Sequence, residues 1–139
     1  MRGRGFRFLP HTADLLVEAR GEDLAELFSC CAVALFSLIT DRRFVRPVET
    51  RTVSVAAAAP EDRLYLLLRE ALLLFSAGGF LARTVSVTMK GITANLLAAG
   101  EPADFARHPA RREVKAVTAH AMTIRKTPHG VVARYVVDV

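Results

Sequence analysis

Two aspartates stand where apolar segments end. Asp14 closes the run Phe8-Leu9-Pro10-His11-Thr12-Ala13-Asp14, and Asp138 sits in Val136-Val137-Asp138-Val139. A carboxylate beside apolar strand residues needs a partner, because taking an unpaired charge out of water is costly. If the two segments pair in one sheet, Asp14 and Asp138 converge into an oxygen site for a hard cation. Aspartate oxygens with no nearby Cys select calcium, magnesium or manganese over zinc. Val139 follows Asp138 directly, and its carbonyl or α-carboxylate is a further candidate oxygen. Both aspartates also have plainer readings, Asp14 as a turn or capping residue and Asp138 as an exposed strand end.

Other ionisable residues carry the same double reading. His11 can ligate, orient Asp14 or cap its loop. Glu26 lies three residues after Asp23 and is fully explained as the return partner of a capping box. Lys115, flanked by Glu113, reads as a solvated ion pair. His108 shares a loop with Asp104 and reads as part of a partner-facing surface, whereas His120 falls on an alternating strand face and reads as packed.

The elements that must position these residues follow from periodicity. Arg7–Leu9 and Leu15–Arg20 read as short strands around the His11–Asp14 loop, with Gly21 closing the second. A helix starts after Asp23, with Leu24, Leu27, Phe28, Cys31, Leu35 and Ile39 on one face, and ends at Thr40-Asp41-Arg42-Arg43. Val53, Val55 and Ala57 alternate with polar or small residues in a strand. Pro60 opens a second helix, with Glu61 and Asp62 at its positive end, that runs to about Phe75 and stops at Gly78-Gly79. It is apolar nearly all round, which predicts the more buried helix of the two. Thr84–Met89 and Ile92–Ala98 form a hairpin across Lys90-Gly91. Gly100–Arg112 reads as a long surface loop, and Val114–Ile124 with Val131–Val139 as a closing hairpin. The expected fold is α+β, one domain over residues 1–139, in the order β-β-α-β-α-β-β-β-β, with two helices on mostly antiparallel strands.

Composition narrows the function classes. The chain has 139 residues, 52% of them apolar and 24% charged, within the ordinary range of globular domains. No apolar region follows Arg2, Arg4 and Arg7, so no signal peptide is expected. Leu64 to Phe75 is interrupted by Arg69-Glu70 and too short to span a bilayer, so no membrane partner is expected. Cys30 and Cys31 are adjacent in a helix, a poor geometry for bridging each other, and fit a reduced, cytoplasmic interior. The net charge of +5 raises direct RNA binding, with basic groups at Arg2/Arg4/Arg7, Arg42/Arg43/Arg46 and Arg107/Arg111/Arg112/Lys115. There is no interleaved aromatic platform for stacking bases, and 16 of the 19 basic residues are Arg, as a GC-rich genome produces without selection. A solvated basic surface is therefore the default reading. Phosphate loops, dinucleotide turns, zinc-spaced Cys and His, and a recognisable nucleophile context are all missing.

The words themselves carry a resemblance. FLPHTADLLVEARG, followed by LAELFSCCAVALFSLITD, Gly100-Glu101, the Asp104 and His108 spacing, EVKAVTAH at 113–120 and the terminal VVDV resemble, in order, the signature blocks of the archease family. The chain departs from the family pattern in YLLLREALLLF, where a Trp and an Asn are usual, and at Ala119, usually aromatic. The resemblance implies an accessory protein of a tRNA-splicing RNA ligase, which joins a 2′,3′-cyclic phosphate or 3′-phosphate end to a 5′-hydroxyl using GTP and divalent metal. It implies promotion of guanylylation of the ligase's histidine and of multiple turnover. It further implies a divalent cation held by Asp14 and Asp138, and makes Glu26 a candidate support for that acidic site and Lys115 a candidate for ligase contact. Two other readings remain, a metal-independent chaperone of enzymes such as tRNA methyltransferases and a metal-dependent phosphohydrolase. The oligomeric state is left open.

Overall fold

In a computed structural model, which describes residues 3–10 and 14–139, the two-residue alternation of the sequence resolves into strands that divide between two sheets. The elements are β1 (Gly5–Pro10), β2 (Leu15–Gly21), α1 (Leu24–Ile39), β3 (Glu49–Ala56), α2 (Pro60–Ser76), β4 (Phe80–Lys90), β5 (Thr93–Pro102), β6 (Ala116–Thr127) and β7 (Gly130–Asp138). Their order matches the expected α+β succession. One sheet runs β1-β2-β7-β6, the other β3-β5-β4, and the strand pairs are antiparallel. Among the described residues no helix is long and apolar enough to cross a membrane.

The helices lie between the sheets. α1 packs on β1, β2 and β7 of one sheet and on β4 of the other, while α2 packs on β6 and on β3, β4 and β5. Asp23 caps α1, its carboxylate accepting from the Glu26 N–H at 2.9 Å. The Glu26 carboxylate in turn accepts from the Glu22 N–H at 3.0 Å, one residue before the usual capping-box donor. Pro60 opens α2. Arg63, buried, donates to the Ala57 and Ala58 carbonyls just before that helix.

The structure reverses the expected burial of the two helices. Leu27, Phe28, Cys31, Leu35 and Phe36 of α1 are fully buried on several sides of the helix, whereas Leu73 and Arg69 of α2 are exposed. α1 has a sheet on either flank, so even its non-periodic apolar positions find cover. α2 closes one side of the core and leaves part of its apolar surface in water. Cys30 and Cys31 are buried free thiols.

Residues 103–112 lie outside the named strands and are mostly exposed, as expected of a surface loop, but the start of the Gly100–Arg112 segment is strand and one of its residues, His108, is buried. β5 continues through Glu101, pairing Leu81 with Glu101 and Phe80 with Pro102. Glu101 is only 4% exposed and His108 is fully buried, so His108 is not the partner-facing residue its loop setting suggests. The Glu101 carboxylate accepts from Arg107 Nη2 at 2.5 Å, from the Arg46 backbone N–H at 2.7 Å and from His108 Nε2 at 2.9 Å. His108 Nδ1 accepts from the Asp104 N–H at 2.9 Å, which leaves the ring proton on Nε2. Arg107, the Arg46 N–H and His108 hold the Glu101 carboxyl well below the usual carboxylate range against the opposing effect of burial. Glu101, Arg107 and His108 are turned onto one another, and they tie the otherwise exposed segment to the end of β5.

Gly100 makes that tie sterically available, because a methyl group there would overlap the Leu81 carbonyl oxygen and the Ala82 backbone. Gly100→Ala should therefore destabilise the fold by roughly 2 kcal/mol, the order expected for overpacking against unyielding backbone. Urea unfolding of the two proteins measures it, and equal stability would show that β4 and β5 separate freely.

Candidate functional site

The two aspartates are brought to neighbouring places by strand register. Leu15 of β2 lies opposite Val137 of β7, so one further step places Asp14 across from Asp138. Asp138 in turn pairs with Ala116 of β6, and the Lys115 N–H donates to the Asp138 carbonyl at 2.8 Å. Asp14, Asp138 and Lys115 thus occupy one end of three adjacent strands, with Asp14 half-buried and the other two exposed. Val139 is half-buried and follows the last residue of β7.

Alternation decides which face Asp138 uses. Ala133, Tyr135 and Val137 are fully buried against the helices, and the Tyr135 hydroxyl donates to the Cys31 carbonyl of α1 at 3.0 Å. Asp138 is on the other face, with Arg134 and Val136. On that outer face Glu18 sits only 2% exposed. Its carboxylate accepts from Arg7 Nε of β1 at 2.8 Å and from Arg134 Nε of β7 at 2.8 Å, with Arg20 at 3.5 Å. The Arg7 hydrogen bond is the largest of the effects that lower the Glu18 carboxyl below its ordinary value, with Arg134 acting the same way and burial opposing. Arg7, Glu18 and Arg134 are directly opposite one another on β1, β2 and β7. A one-residue slip would put them on opposite faces, so the ion cluster pins the register that pairs the two aspartates.

Not every candidate joins them. Glu26 bonds the Glu22 backbone just beyond Gly21, the end of β2 remote from Asp14. A seven-residue strand, roughly 23 Å at about 3.3 Å per residue, lies between the two places. The structure therefore leaves Glu26 as a capping residue and does not bring it to the pair. His11 lies outside the described residues. His120 is exposed, not packed. Register slips from Thr118 opposite Val136 to Thr123 opposite Arg134, so β6 bulges there and His120 leaves the alternating face. Ala121, at φ 61, sits within the bulge. Nothing in a single sequence marks a bulge of this size without a glycine.

The comparisons with known proteins agree along the chain. The Archease protein family (MTH1598/TM1083) matches residues 6–139. Protein archease of Thermococcus gammatolerans is 37% identical over 131 residues, covering 91% of this chain and 92% of that protein. Protein archease of Pyrococcus abyssi is 37% identical over 124 residues, covering 86% and 87%. The solution structure of Methanobacterium thermoautotrophicum protein 1598 superposes with a TM-score of 0.77 at 31% identity, covering 97% of this chain and 99% of that one. A Thermotoga maritima archease, described as a "possible chaperone", shares the fold with a TM-score of 0.67 at 16% identity, over 94% of each chain.

The ion cluster gives a test of the register. Glu18→Gln should cost roughly 2 kcal/mol at neutral pH, because it leaves Arg7 and Arg134 facing a neutral amide, with much of the Arg7 share screened by water. A carboxyl lowered in the folded state stabilises above its unfolded pKa, and that contribution fades as pH falls through the folded value. The gap between wild type and variant should therefore shrink below pH 4.5, the ordinary Glu value, in urea melts taken across pH. A gap independent of pH would show that Glu18 acts by shape alone. With its signature words, its register-paired strands and its relatives in accord along the chain, the protein belongs to the archease family.

Proposed function

We propose that this protein is an accessory factor of a GTP- and metal-dependent RNA ligase of the tRNA-splicing type, promoting guanylylation of the ligase's histidine and its repeated turnover. The observation that carries this reading is the register of β2 and β7, which sets Asp14 across from Asp138 at an open strand end. Membership of the archease family supports it. Among the described residues no group of three or more His, Cys, Asp or Glu gathers at a metal-binding spacing.

The donor set fits a hard cation that keeps part of its water shell. Asp14 and Asp138 would hold it, with the Val139 backbone oxygen as a further donor and His11 as the remaining candidate support. Calcium, magnesium and manganese all accept such oxygens, and magnesium retains several waters by preference. When bound, the cation supplies neutralisation of phosphate charge. The chain's own residues do the rest. β2 and β7 fix the spacing of the two carboxylates, and the Lys115 N–H holds the Asp138 carbonyl. The exposed Lys115 side chain is free to meet a phosphate or a carboxylate of the partner.

Asp14→Ala and Asp138→Ala should each weaken calcium binding by about tenfold or more, judged against the losses seen when metal-site support is removed. Both should abolish stimulation of the cognate ligase in a guanylylation assay with GTP and manganese. Lys115→Ala should reduce stimulation while leaving the calcium titration unchanged. Full stimulation by both aspartate variants would overturn the metal-dependent reading. Metal-independent binding to a tRNA methyltransferase would then favour the chaperone reading instead.

A further inference from the structure

β1 and β4 are open edges of the two sheets, and α1 lies against both. Beside them is a cavity of about 430 Å³ lined by Arg42, Arg43, Arg83 and Arg111 together with Phe6 and Phe8. It adjoins a second space of about 620 Å³ that shares Phe6 and Arg42 and adds Arg4 and one carboxylate, Glu26, which already accepts from the Glu22 N–H. The arginines come from three separate parts of the chain, two after α1, one in the β4 bulge and one in the Arg107–Arg112 stretch. Only the fold assembles them.

Among the described residues Asp41 is the one acidic residue lining the smaller cavity, and it is already engaged. It pairs with Arg43 at 2.6 Å and with Arg111 at 3.5 Å, and the Arg43 hydrogen bonds hold its carboxyl down to about 2. Arg42 and Arg83 have no carboxylate partner among the described residues. Their guanidinium groups are fixed by backbone carbonyls, Arg42 Nη2 on Arg83 O at 2.7 Å, and Arg83 Nη1 on Arg43 O at 2.8 Å and Val45 O at 3.2 Å. Carbonyls hold the forks in place without cancelling their charge. Arg42 Nε is buried with no hydrogen-bond partner, a donor that buried groups rarely leave unused.

An anion would offset this arrangement, and the lining distinguishes which kind. Guanidinium forks match phosphate oxygens in pairs, and several can share one phosphate. Phe8 is 36% exposed, and its ring stands 5.4 Å from that of Phe6 at a tilt of 48°. An exposed aromatic side chain beside arginines is what stacked bases use, while an acidic peptide has no need of it. The two adjoining spaces also hold more than a single inorganic anion.

We propose that this cleft binds single-stranded polynucleotide, with phosphates on Arg42, Arg83 and Arg111 and a base against Phe8. The site stands apart from the aspartate pair and does not rest on the ligase reading.

Fluorescence anisotropy with a labelled polyuridine RNA of about ten nucleotides tests it. Three arginines engaged by a single strand predict roughly a twentyfold loss of affinity between about 50 and about 200 mM salt, from a slope near −0.7 per phosphate contact. Arg111→Gln should weaken binding and cut that loss to about sevenfold. Arg83→Lys keeps the charge and should weaken binding while keeping most of the salt dependence, and Phe8→Ala should weaken binding with the salt slope unchanged. Thermal melts confirm that each variant is folded, and Arg111→Gln, which loses only long bonds to Ser37 O and Asp41, is the variant least exposed to that risk. Arg125→Gln, on the exposed part of β6, should bind as wild type. Equal losses for Arg125→Gln and Arg111→Gln would overturn the proposal in favour of diffuse surface charge. Equal affinity for a labelled polyglutamate would overturn it in favour of an acidic protein partner.

Discussion

The structure turns on the pairing of β2 with β7, and on the buried carboxylate that keeps the pairing in register. Glu18 joins Arg7 and Arg134 across three adjacent strands. Backbone hydrogen bonds alone would tolerate a slip of two residues, but the ion cluster would not, because its three members would lose one another. From this one contact follow the burial of Val17, Tyr135 and Val137 against α1 and the meeting of Asp14 and Asp138 at the strand ends. A chain that brings two residues so distant in sequence together must hold them by long-range pairing, and here the outer face of the sheet does it with charge.

A second constraint comes from dividing the strands of the described residues between two sheets. α1 fills the space between them and is buried nearly all round, which is why its two cysteines can remain unreacted thiols inside the core. Two sheets also leave two open edges on either side of a single helix, and unpaired edges need management. At the β1 and β4 edges the chain places arginines anchored on carbonyls. At the other end of β5 it closes Glu101 over Arg107 and His108. Charge is thus used in three ways: to pin a register, to tie down a loop and to leave a cleft electropositive.

Much of this is legible in the amino-acid sequence alone. The strand and helix order, the capping of α1 by Asp23 and Glu26, and the nearness of Asp14 to Asp138 follow from periodicity, turn residues and the words that resemble a known family. What the sequence hides is of another kind. The greater burial of α1 depends on having a sheet on both flanks, which helix composition does not encode. His108 and His120 exchange roles because one is drawn inward by Glu101 and the other is expelled by a bulge without glycine. Glu26 looks like an acidic neighbour of Asp14 until β2 is laid out between them. Arg83 joins Arg42 and Arg111 only through the β4 bulge, so no local charge count could group them.

On this account Asp14 and Asp138 act as one site because β2 and β7 hold them opposite each other. A double-mutant cycle in cation affinity, with calcium titrated calorimetrically into wild type, Asp14→Ala, Asp138→Ala and the double variant, measures this directly. Residues sharing one ion should be strongly non-additive, the second substitution costing little once the first is made. Losses that add independently, or no loss in either single variant, would contradict it.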